Sequence, residues 1–397
     1  MHARAVARLL LLTPGRLADD PRARRAAAAA HGGGLEVAAL CGANEPGPDA
    51  SLPPEITVAS IGSSSVTRLL RSAGLGGMQR SRPVVRELRG IFRLLRLARV
   101  TLALTRRGQR LGPADVVHAN DFETLPAGHR LATALRARLV YDAHEIYADQ
   151  EPDPPRLHAA AVRRLERRLA RNAAAVVTVS EPIARELETS LGLPRTPLVV
   201  LNCPPLAPVV AAGAATPTRG RLRAVYQGAA GPGRDLEDLL AAATPSVDLA
   251  IRVVGIDAGA LRARAAASGL DGLVRVLDPV PAADLVSALA GFDVGLIINR
   301  PVTRNDELVF PNKLFEYLMA GLAVVVPRLP ALAPFVEREG VGLTYAPGDP
   351  ADLARVLGEL AADRPRLAEM QRRARAAAEE RYNAEAQVPV LLEAWGL

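Results

Sequence analysis

The segment that decides the fold is Asp293–Pro327, with the sequence DVGLIINRPVTRNDELVFPNKLFEYLMAGLAVVVP. It opens with an apolar run through Asn299, which is typical of a buried strand, and continues through an irregular polar loop. Helical spacing then extends from Asn312 to Ala320, Gly321 ends the helix, and a second apolar run follows at once. A strand, a helix and another strand in this order predict a βα unit of a parallel sheet.

The same alternation extends along the chain in both directions. In the first half we predict strands at Val6–Thr13, Leu35–Leu40, Asp115–Ala119, Arg138–Asp142, Ala174–Ser180 and Leu198–Asn202. In the second half we predict strands at Leu222–Gln227, Leu249–Gly255, Val274–Asp278, Asp293–Asn299, Ala323–Pro327 and Gly342–Tyr345. Helices are predicted at Pro21–Ala30, Arg156–Arg171, Glu181–Leu191, Asp235–Ala243, Ala258–Ser268, Ala282–Ala290, Asn312–Ala320, Pro350–Ala362 and Pro365–Trp395.

The periodicity stops once, in the Pro-, Ala-, Gly- and Thr-rich segment Pro204–Gly220, which is typical of a linker. We therefore expect two Rossmann-like, doubly wound parallel-sheet domains that face each other across a cleft. We expect a first domain over residues 1–205, a linker over 206–220, a second domain over 221–375, and a helical tail over 376–397 that packs back on the first domain. Such sheets bind ligands at the carboxyl ends of their strands, so residues directly after strands are the candidates for a site.

The composition excludes several classes of protein. The hydrophobic fraction of 49% is ample for two cores, yet no apolar stretch reaches the roughly 18–20 residues that span a bilayer. Met1–Thr13 looks like a signal peptide, but Asp19, Asp20 and Pro21 follow where a cleavage site would lie, so we predict a first strand. The two cysteines lack metal-site spacing, and we expect a reducing cytoplasm.

The net charge of +7 suits an anionic ligand or an anionic membrane face. Aromatic residues make up only 3% of the chain and no recognition module is visible, so we expect no nucleic-acid partner. Of the 49 lysine and arginine side chains, only Lys313 is a lysine. This residue is therefore a candidate for a compact ammonium group that arginine cannot imitate.

The loop before Pro311 delivers a helix N-terminus, with its free N–H groups and positive dipole, to the ligand-binding edge of the sheet. Lys313 lies in the first turn and suits a diphosphate, while Glu316 lies on the same face at i+3 and can accept hydrogen bonds from a ribose. An ordinary helix with a solvated Lys313–Glu316 pair has the same spacing. Spacing alone does not decide between these two interpretations.

The run PNKLFEYLMAG, with LAVVVP after it, closely resembles the donor-binding motif of the retaining GT-B glycosyltransferases of family 4, in its PxKxFEY form. The resemblance implies that Glu316 holds the ribose of a nucleotide diphosphate sugar. It also implies that the helix start, with Asn312, Lys313 and Leu314, faces the diphosphate. Donor binding in the second domain follows from this resemblance.

Many members of that family carry another glutamate eight residues earlier in the chain. Here that position is Leu308, and Glu307 lies one place away. This departure leaves open the contact that the first glutamate would make with the sugar.

A second match to the family is YQGAAGPGRDLEDLL, residues 226–240, in which a strand ends in a glycine-rich loop. Gly228 lets the backbone approach a ligand closely, and Arg234 resembles the basic residue that neutralises the departing diphosphate. A glycine-rich turn alone is a weak signal. Its position at the start of the second domain strengthens it.

The first domain supplies looser matches, VVHANDFETLPAG and LVYDAHEIY. In the first, His118 and Asp121 come after a strand; in the second, His144 and Glu145 do so. The resemblance implies that His144 lines the site near the transferred sugar, and that Asp121 and Glu145 lie on the acceptor side. A lone histidine is more often a structural hydrogen-bonding group, and the family match favours the functional interpretation here.

The resemblance implies glycosyl transfer with retention at the anomeric carbon, in which positioning and charge stabilisation supply most of the catalysis. We assign catalytic roles to His144, Arg234 and Lys313. Nothing resembles an Asp-x-Asp metal clamp, so we expect no essential metal and no cofactor other than the donor substrate. Two alternatives remain: a nucleotide-sugar-binding homologue without transferase activity, and a GT-B nucleotide-sugar epimerase.

Arginines recur with helical spacing at Arg82, Arg86, Arg89, Arg93 and Arg96, beside an apolar stripe. That stripe contains Val85, Leu88, Phe92 and Leu95. The pattern is typical of a surface helix that covers the first sheet. It also fits a patch that docks on anionic lipid, at the inner face of the membrane.

Overall fold

The computed structural model describes residues 6–43, 52–62, 83–208, 220–231, 233–234 and 236–397. The chain divides into two compact units, of which the first is Met1–Val200 with Val388–Leu397 and the second is Leu201–Gln387. The tail expected over 376–397 is thus divided between the units. The centre of the expected linker, residues 209–219, lies outside the described residues, as do Arg82 and Asp235.

In its described part, the first unit contains a seven-stranded sheet with the order β3-β2-β1-β4-β5-β6-β7. Every neighbouring pair in it is parallel. Its strands are β1 (Arg8–Thr13), β2 (Glu36–Cys41), β3 (Thr57–Ser60), β4 (Val116–Asn120), β5 (Arg138–Ala143), β6 (Ala175–Thr178) and β7 (Leu198–Val199). The strand order reverses between β1 and β4, which is where a doubly wound sheet opens a ligand site.

The helices described in the first unit are α1 (Pro21–Gly32), α2 (Pro83–Arg110), α3 (Leu125–Leu135), α4 (Arg156–Ala170) and α5 (Glu181–Leu191). Side chains of β1 and β2 form one core with α1, in which Leu9, Val37 and Ala27 are buried. Trp395 at the end of the chain packs into the same core. The C-terminal segment therefore completes the first unit.

In its described part, the second unit contains a six-stranded sheet with the order β10-β9-β8-β11-β12-β13, again parallel throughout. Its strands are β8 (Leu222–Ala229), β9 (Val247–Val254), β10 (Val274–Leu277), β11 (Val294–Leu296), β12 (Ala323–Pro327) and β13 (Gly342–Tyr345). The helices are α6 (Leu236–Ala241), α7 (Ala258–Ala267), α8 (Arg304–Leu308), α9 (Asn312–Met319), α10 (Leu332–Glu339), α11 (Pro350–Ala362) and α12 (Arg364–Glu380), and α13 (Ala384–Trp395) then continues into the first unit. The predicted fold class, two Rossmann-like parallel-sheet domains, is confirmed.

Two local predictions are corrected. Ala282–Ala290 is not one α-helix but contains two short 3-10 turns, Ala282–Asp284 and Ser287–Leu289. In both turns the hydrogen bonds join residues three apart, from the Leu285 N–H to the Ala282 carbonyl and from the Ala290 N–H to the Ser287 carbonyl. Strand β3 was not predicted, because this short edge strand exposes half of its residues and carries no apolar run.

Candidate functional site

Two loops of the second unit meet at the carboxyl ends of β8 and β11. Arg234 follows β8, Asn299 follows β11, and the two residues form an isolated antiparallel bridge. The Arg300 N–H donates to the Gly233 carbonyl at 2.7 Å. A Cβ at Gly233, where φ is 73°, would lie 2.7 Å from the Arg300 carbonyl oxygen, so this turn requires glycine. The strand order reverses between β8 and β11, which makes this edge the expected ligand site.

Helix α9 brings its first turn to the same edge. Its N-cap residue Pro311 makes no side-chain hydrogen bond, so the first N–H groups have no capping side chain. Tyr317 anchors the helix to β11: its side chain is fully buried, and its hydroxyl donates to the Leu296 carbonyl at 3.1 Å. A Cβ at Gly295 would overlap the Tyr317 ring, so a glycine in β11 makes room for this anchor. The N-terminus of α9 is therefore held in place by Tyr317, and no N-cap side chain covers its first N–H groups.

Lys313 in the first turn of α9 carries a buried ammonium group. The residue is 9% exposed, and Nζ has no hydrogen-bond partner among the described residues. Nζ lies 4.3 Å from the centroid of the Tyr226 ring, and a Cβ at Gly228 would come within 2.5 Å of it. Burial and then the charge of Arg234 lower the pKa of Lys313 to about 7, against a smaller opposing effect of Glu316.

Glu316 does not form the solvated pair with Lys313 that the spacing alone allowed. The lysine is buried, and its Nζ has no hydrogen-bond partner among the described residues. Instead, the Glu316 carboxylate accepts a hydrogen bond from Nε2 of Gln227 at 2.9 Å. The cation and the carboxylate thus occupy neighbouring turns of one helix without neutralising each other through a direct contact.

The other residues predicted around the helix start differ in access. Asn312 is exposed at the first position of α9. Leu314 is fully buried in the core, and its N–H donates to the Pro311 carbonyl at 2.9 Å. Leu308 is also buried, and Glu307 forms an ion pair with Arg304 at 2.6 Å.

The first unit holds a second cluster at the carboxyl ends of β4 and β5. His144 follows β5, with Nδ1 3.1 Å from Oδ1 of Asp121 and Nε2 3.5 Å from Oδ2 of Asp142. Asp121 has a φ of 71°, which turns the chain sharply after β4, and it accepts a hydrogen bond from the Tyr147 hydroxyl. Burial favours the neutral imidazole, but the Asp142 and Asp121 carboxylates outweigh burial and raise the pKa of His144.

A buried ion pair supports this cluster. Asp142 is fully buried and receives two hydrogen bonds from the Arg22 guanidinium, at 2.7 and 2.8 Å. Burial alone would raise the pKa of Asp142, but the charge of Arg22, with His144 and His118, holds it well below its usual range. His118, expected after a strand, lies inside β4 and is fully buried. Its Nδ1 accepts from the Trp395 indole at 3.2 Å, so the last helix reaches this region.

Sequence reasoning found Asp121 and His144 but missed Arg22, Asp142 and Tyr147. The only sequence signal for Tyr147 was its place in the quoted run LVYDAHEIY, which continues past the end of β5. Glu145, predicted on the acceptor side, instead accepts from the Gln150 amide at 2.5 Å and makes no contact with His144 or Asp121 in the described hydrogen bonds. The structure therefore brings His144 and Asp121 together and leaves Glu145 beside them.

Helix α2 carries the predicted basic stripe. Arg86 and Arg93 form ion pairs with Asp153 and Glu151, whereas Arg89 is exposed and has no ion pair among the described residues. Three members of the apolar stripe are about half exposed, Leu88 (49%), Phe92 (46%) and Leu95 (55%), whereas Val85 is half-buried. The neighbouring Val84 (71%) and Ile91 (42%) are exposed as well. In the part of the chain that the structure describes, no helix has the length and apolarity needed to cross a bilayer.

Comparison with solved structures agrees with this architecture. A sucrose-phosphate synthase from Thermosynechococcus elongatus superposes with a TM-score of 0.68 at 15% identity, covering 96% of each chain. Anabaena HepE in complex with UDP superposes with a TM-score of 0.68 at 16% identity, covering 98% of this chain and all of that one. The same protein with UDP-glucose gives a TM-score of 0.66 at 16% identity, over 98% and 99% of the two chains. At these identities the likeness shows the fold.

Sequence comparison identifies the family. No curated protein matches the chain significantly. Residues 20–204 match the model of the glycosyl transferase 4-like domain, and residues 220–363 match that of the glycosyl transferases group 1. The two matches follow each other and together cover most of both units. The chain is therefore a glycosyltransferase, in which a glycosyl transferase 4-like domain is followed by a glycosyl transferases group 1 domain.

Proposed function

We propose that this enzyme takes its sugar from a nucleotide diphosphate held at the N-terminus of α9. The observation that carries the proposal is the ammonium group of Lys313, which is buried and has no hydrogen-bond partner among the described residues. Burying an unpaired charge is costly, so a fold retains one where a ligand of opposite charge completes it. Arg234 and the uncapped first turn of α9 add positive potential at the same place.

The rest of the donor has matching partners. Glu316, one turn after Lys313, accepts hydrogen bonds from the ribose hydroxyls, and Gly228 lets the diphosphate approach the end of β8. The HepE structures with UDP and with UDP-glucose support a nucleotide sugar as the donor class. Buried Leu308 presents no carboxylate to the sugar, so the sugar is held by other groups.

Donor binding is tested by melting the protein with UDP, ADP, GDP and their sugar conjugates. One nucleotide series at about 100 times its Kd is expected to stabilise the wild type by about 2.7 kcal/mol, which raises Tm by about 5–10 °C. Glu316→Ala is expected to lose most of that shift, because the ribose loses its acceptor. Arg366→Met is the matched control at an exposed site of the same unit. If no nucleotide shifts the wild type, the donor proposal fails.

The transfer itself is proposed to retain the anomeric configuration and to need no metal. Lys313 and Arg234 neutralise the leaving diphosphate, which is the work that a divalent cation would otherwise do. A leaving phosphate oxygen takes the acceptor's proton, and we assign His144, with Asp121 beside it, to the sugar and the acceptor. Full activity in EDTA and an α-linked product from an α-linked donor, read by NMR, are the expected results. Dependence on Mg²⁺ or an inverted product would contradict the proposal.

A homologue that binds nucleotide sugars without transfer is the second candidate, since Leu308 replaces a family carboxylate. An epimerase is the third. The two are separated from a transferase by incubating the donor alone and then with candidate acceptors. An epimerase changes the sugar of the donor without an acceptor, whereas a binding homologue leaves it unchanged in both mixtures.

We also propose that α2 docks the enzyme on an anionic membrane, at the cytoplasmic face. The helix presents a row of exposed apolar side chains, with Leu88 and Leu95 two turns apart, and exposed arginines such as Arg89 and Arg96 beside it. Apolar insertion and cation–headgroup attraction act together on such a surface, at about 1 kcal/mol for each basic residue. The apolar side chains face solvent, which a helix that only covers its own sheet does not require.

Cosedimentation with vesicles tests this surface. The wild type is expected to bind phosphatidylglycerol vesicles but not phosphatidylcholine vesicles, and high salt is expected to weaken the binding. The double variant Leu88→Ser/Leu95→Ser is expected to bind at least tenfold more weakly, because two inserting side chains are removed. Leu206→Ser, at a comparably exposed leucine of the second unit, is the matched control. Equal binding to both vesicle types would refute the proposed attraction to anionic headgroups. Unchanged binding of the double variant would refute the proposed insertion of apolar side chains.

A further inference from the structure

Gln227 at the end of β8 bridges a buried arginine and the carboxylate of Glu316. Its Nε2 donates to Oε2 of Glu316 at 2.9 Å, and its Oε1 accepts from Nη1 of Arg252 at 2.8 Å. Gln227 is 3% exposed and Arg252 is 7% exposed, so the hydrogen bond between them is buried, and the one to Glu316 is partly buried. Together these residues form a continuous hydrogen-bonded chain that ends on the carboxylate proposed to hold the ribose.

The chemistry of the two ends fixes the direction of the amide. Arginine only donates hydrogen bonds, and an ionised glutamate only accepts them. The amide of Gln227 can therefore satisfy both neighbours in a single orientation, with its oxygen toward Arg252 and its nitrogen toward Glu316. A flipped amide would set two donors against each other at one end and two acceptors at the other.

The backbone of Gln227 is held as well. Its N–H donates to the hydroxyl of Tyr317 at 2.9 Å, and that hydroxyl donates to the Leu296 carbonyl. Because Tyr317 follows Glu316 directly in α9, the helix that carries the carboxylate also clamps the strand that carries the amide. The distance between Gln227 and Glu316 is thereby fixed from two sides.

Burying the Arg252 guanidinium in β9 costs free energy that support of the sheet alone does not require. Arg252 is almost fully buried, its guanidinium donates to the Gln227 amide oxygen and to the Ala288 carbonyl, and its Nε has no hydrogen-bond partner among the described residues. Burial consequently lowers the pKa of Arg252. An apolar side chain would fill the same place in β9 without this penalty. The guanidinium supplies what an apolar side chain cannot, a permanent donor that orients the Gln227 amide.

We propose that Gln227 and Arg252 are positioning residues for the donor: they hold one oxygen of Glu316 and so aim the carboxylate at the ribose hydroxyls. This inference rests on the proposed donor site. It assigns to two residues outside the PNKLFEYLMAG run a role in telling a ribonucleotide from a 2′-deoxyribonucleotide.

The test measures Kd for UDP, ADP and GDP and for their 2′-deoxy counterparts by calorimetry. For the nucleotide that binds tightest, the ratio of the deoxy Kd to the ribo Kd reports the ribose contact. Gln227→Met is expected to lower this ratio about tenfold, the size of a hydrogen bond to a charged group. Arg252→Met is expected to lower it in the same direction, whereas Arg252→Lys, which still only donates, keeps most of it. Gln371→Met, which removes an amide bonded to the Asp293 carbonyl, is the matched control.

A double-mutant cycle separates positioning from a general effect on the fold. In a Glu316→Ala background, Gln227→Met is expected to leave the ratio unchanged, because the carboxylate that it positions is gone. An equal effect in both backgrounds, or an unchanged ratio in Gln227→Met and Arg252→Met alike, overturns the proposal while the donor site stands. If the wild type binds no nucleotide, the donor site falls and this inference falls with it.

Discussion

Replacing Lys313 with methionine is expected to lower kcat/KM by about 10²–10³ and, in the same protein, to raise Tm without ligand. The activity falls because the leaving diphosphate loses a buried cation that stabilises developing charge. The stability rises because a desolvated ammonium with no partner among the described residues is exchanged for an apolar chain of similar length. If Lys313 only supported the fold, its replacement would lower both kcat/KM and the Tm of the ligand-free protein.

The pH dependence follows from the lowered pKa of Lys313. Its value of about 7 lies below the ordinary lysine value, so between these limits the unfolded chain binds more protons than the folded one. Stability of the ligand-free protein is therefore expected to rise as pH increases from about 7, and Lys313→Met removes that slope. A bound diphosphate favours the protonated amine, so nucleotide affinity is expected to fall above pH 7.

Calorimetric melting from pH 6 to 9, with and without nucleotide, checks both statements. Arg366→Met, a cation-to-methionine change at an exposed position, is expected to change Tm by less than about 1 °C. If Lys313→Met keeps its activity and melts like the wild type, Lys313 has no part in binding the diphosphate.

The residues of the proposed donor site were predictable because each lies in a short, recognisable run of sequence. Lys313 and Glu316 lie within one helix, Arg234 lies in the loop that follows β8, and each was recognised from a short run of sequence. The structure adds that Lys313 is buried rather than solvated. That fact depends on Tyr226 and Gly228, which belong to a different strand, so spacing within the helix could not reveal it.

The supporting residues were not predictable, because their partners are distant in sequence. Arg22 and Asp142 are 120 positions apart, and Trp395 and His118 are 277 apart. Gln227 was recognised only as part of a strand end. A single sequence holds no periodic signal for such pairs. The hydrophobic alternation predicts the strands that bring them together, but not the polar contacts made across them.

Exchange of Asp142 for asparagine is expected to destabilise the first unit by about 3–5 kcal/mol, a fall in Tm of about 10 °C. The substitution keeps the shape of the side chain but leaves the Arg22 guanidinium, with 7% of its side chain exposed, without its counter-charge. Because the pKa of Asp142 is held well below its usual range, the stability that its ionised carboxylate contributes is lost only as the pH falls through that low value. The difference in Tm between variant and wild type is therefore expected to persist from about pH 5 to 8, and to be larger at the acid end, where protonated His144 also loses the Asp142 carboxylate.

Two matched variants make the Asp142 result specific. Asp278→Asn breaks an Arg–Asp pair of similar length, 2.6 Å, whose carboxylate side chain is 83% exposed, and it is expected to cost less than about 1 kcal/mol. Arg22→Met/Asp142→Leu removes both charges and is expected to recover most of the lost stability. Neither Asp142 variant restores the carboxylate that raises the pKa of His144, so the imidazole is expected to titrate at lower pH in both, as followed by NMR. An Asp142→Asn protein as stable as the wild type would show that Arg22 finds another partner, and an unshifted His144 would show that Asp121 alone sets its charge.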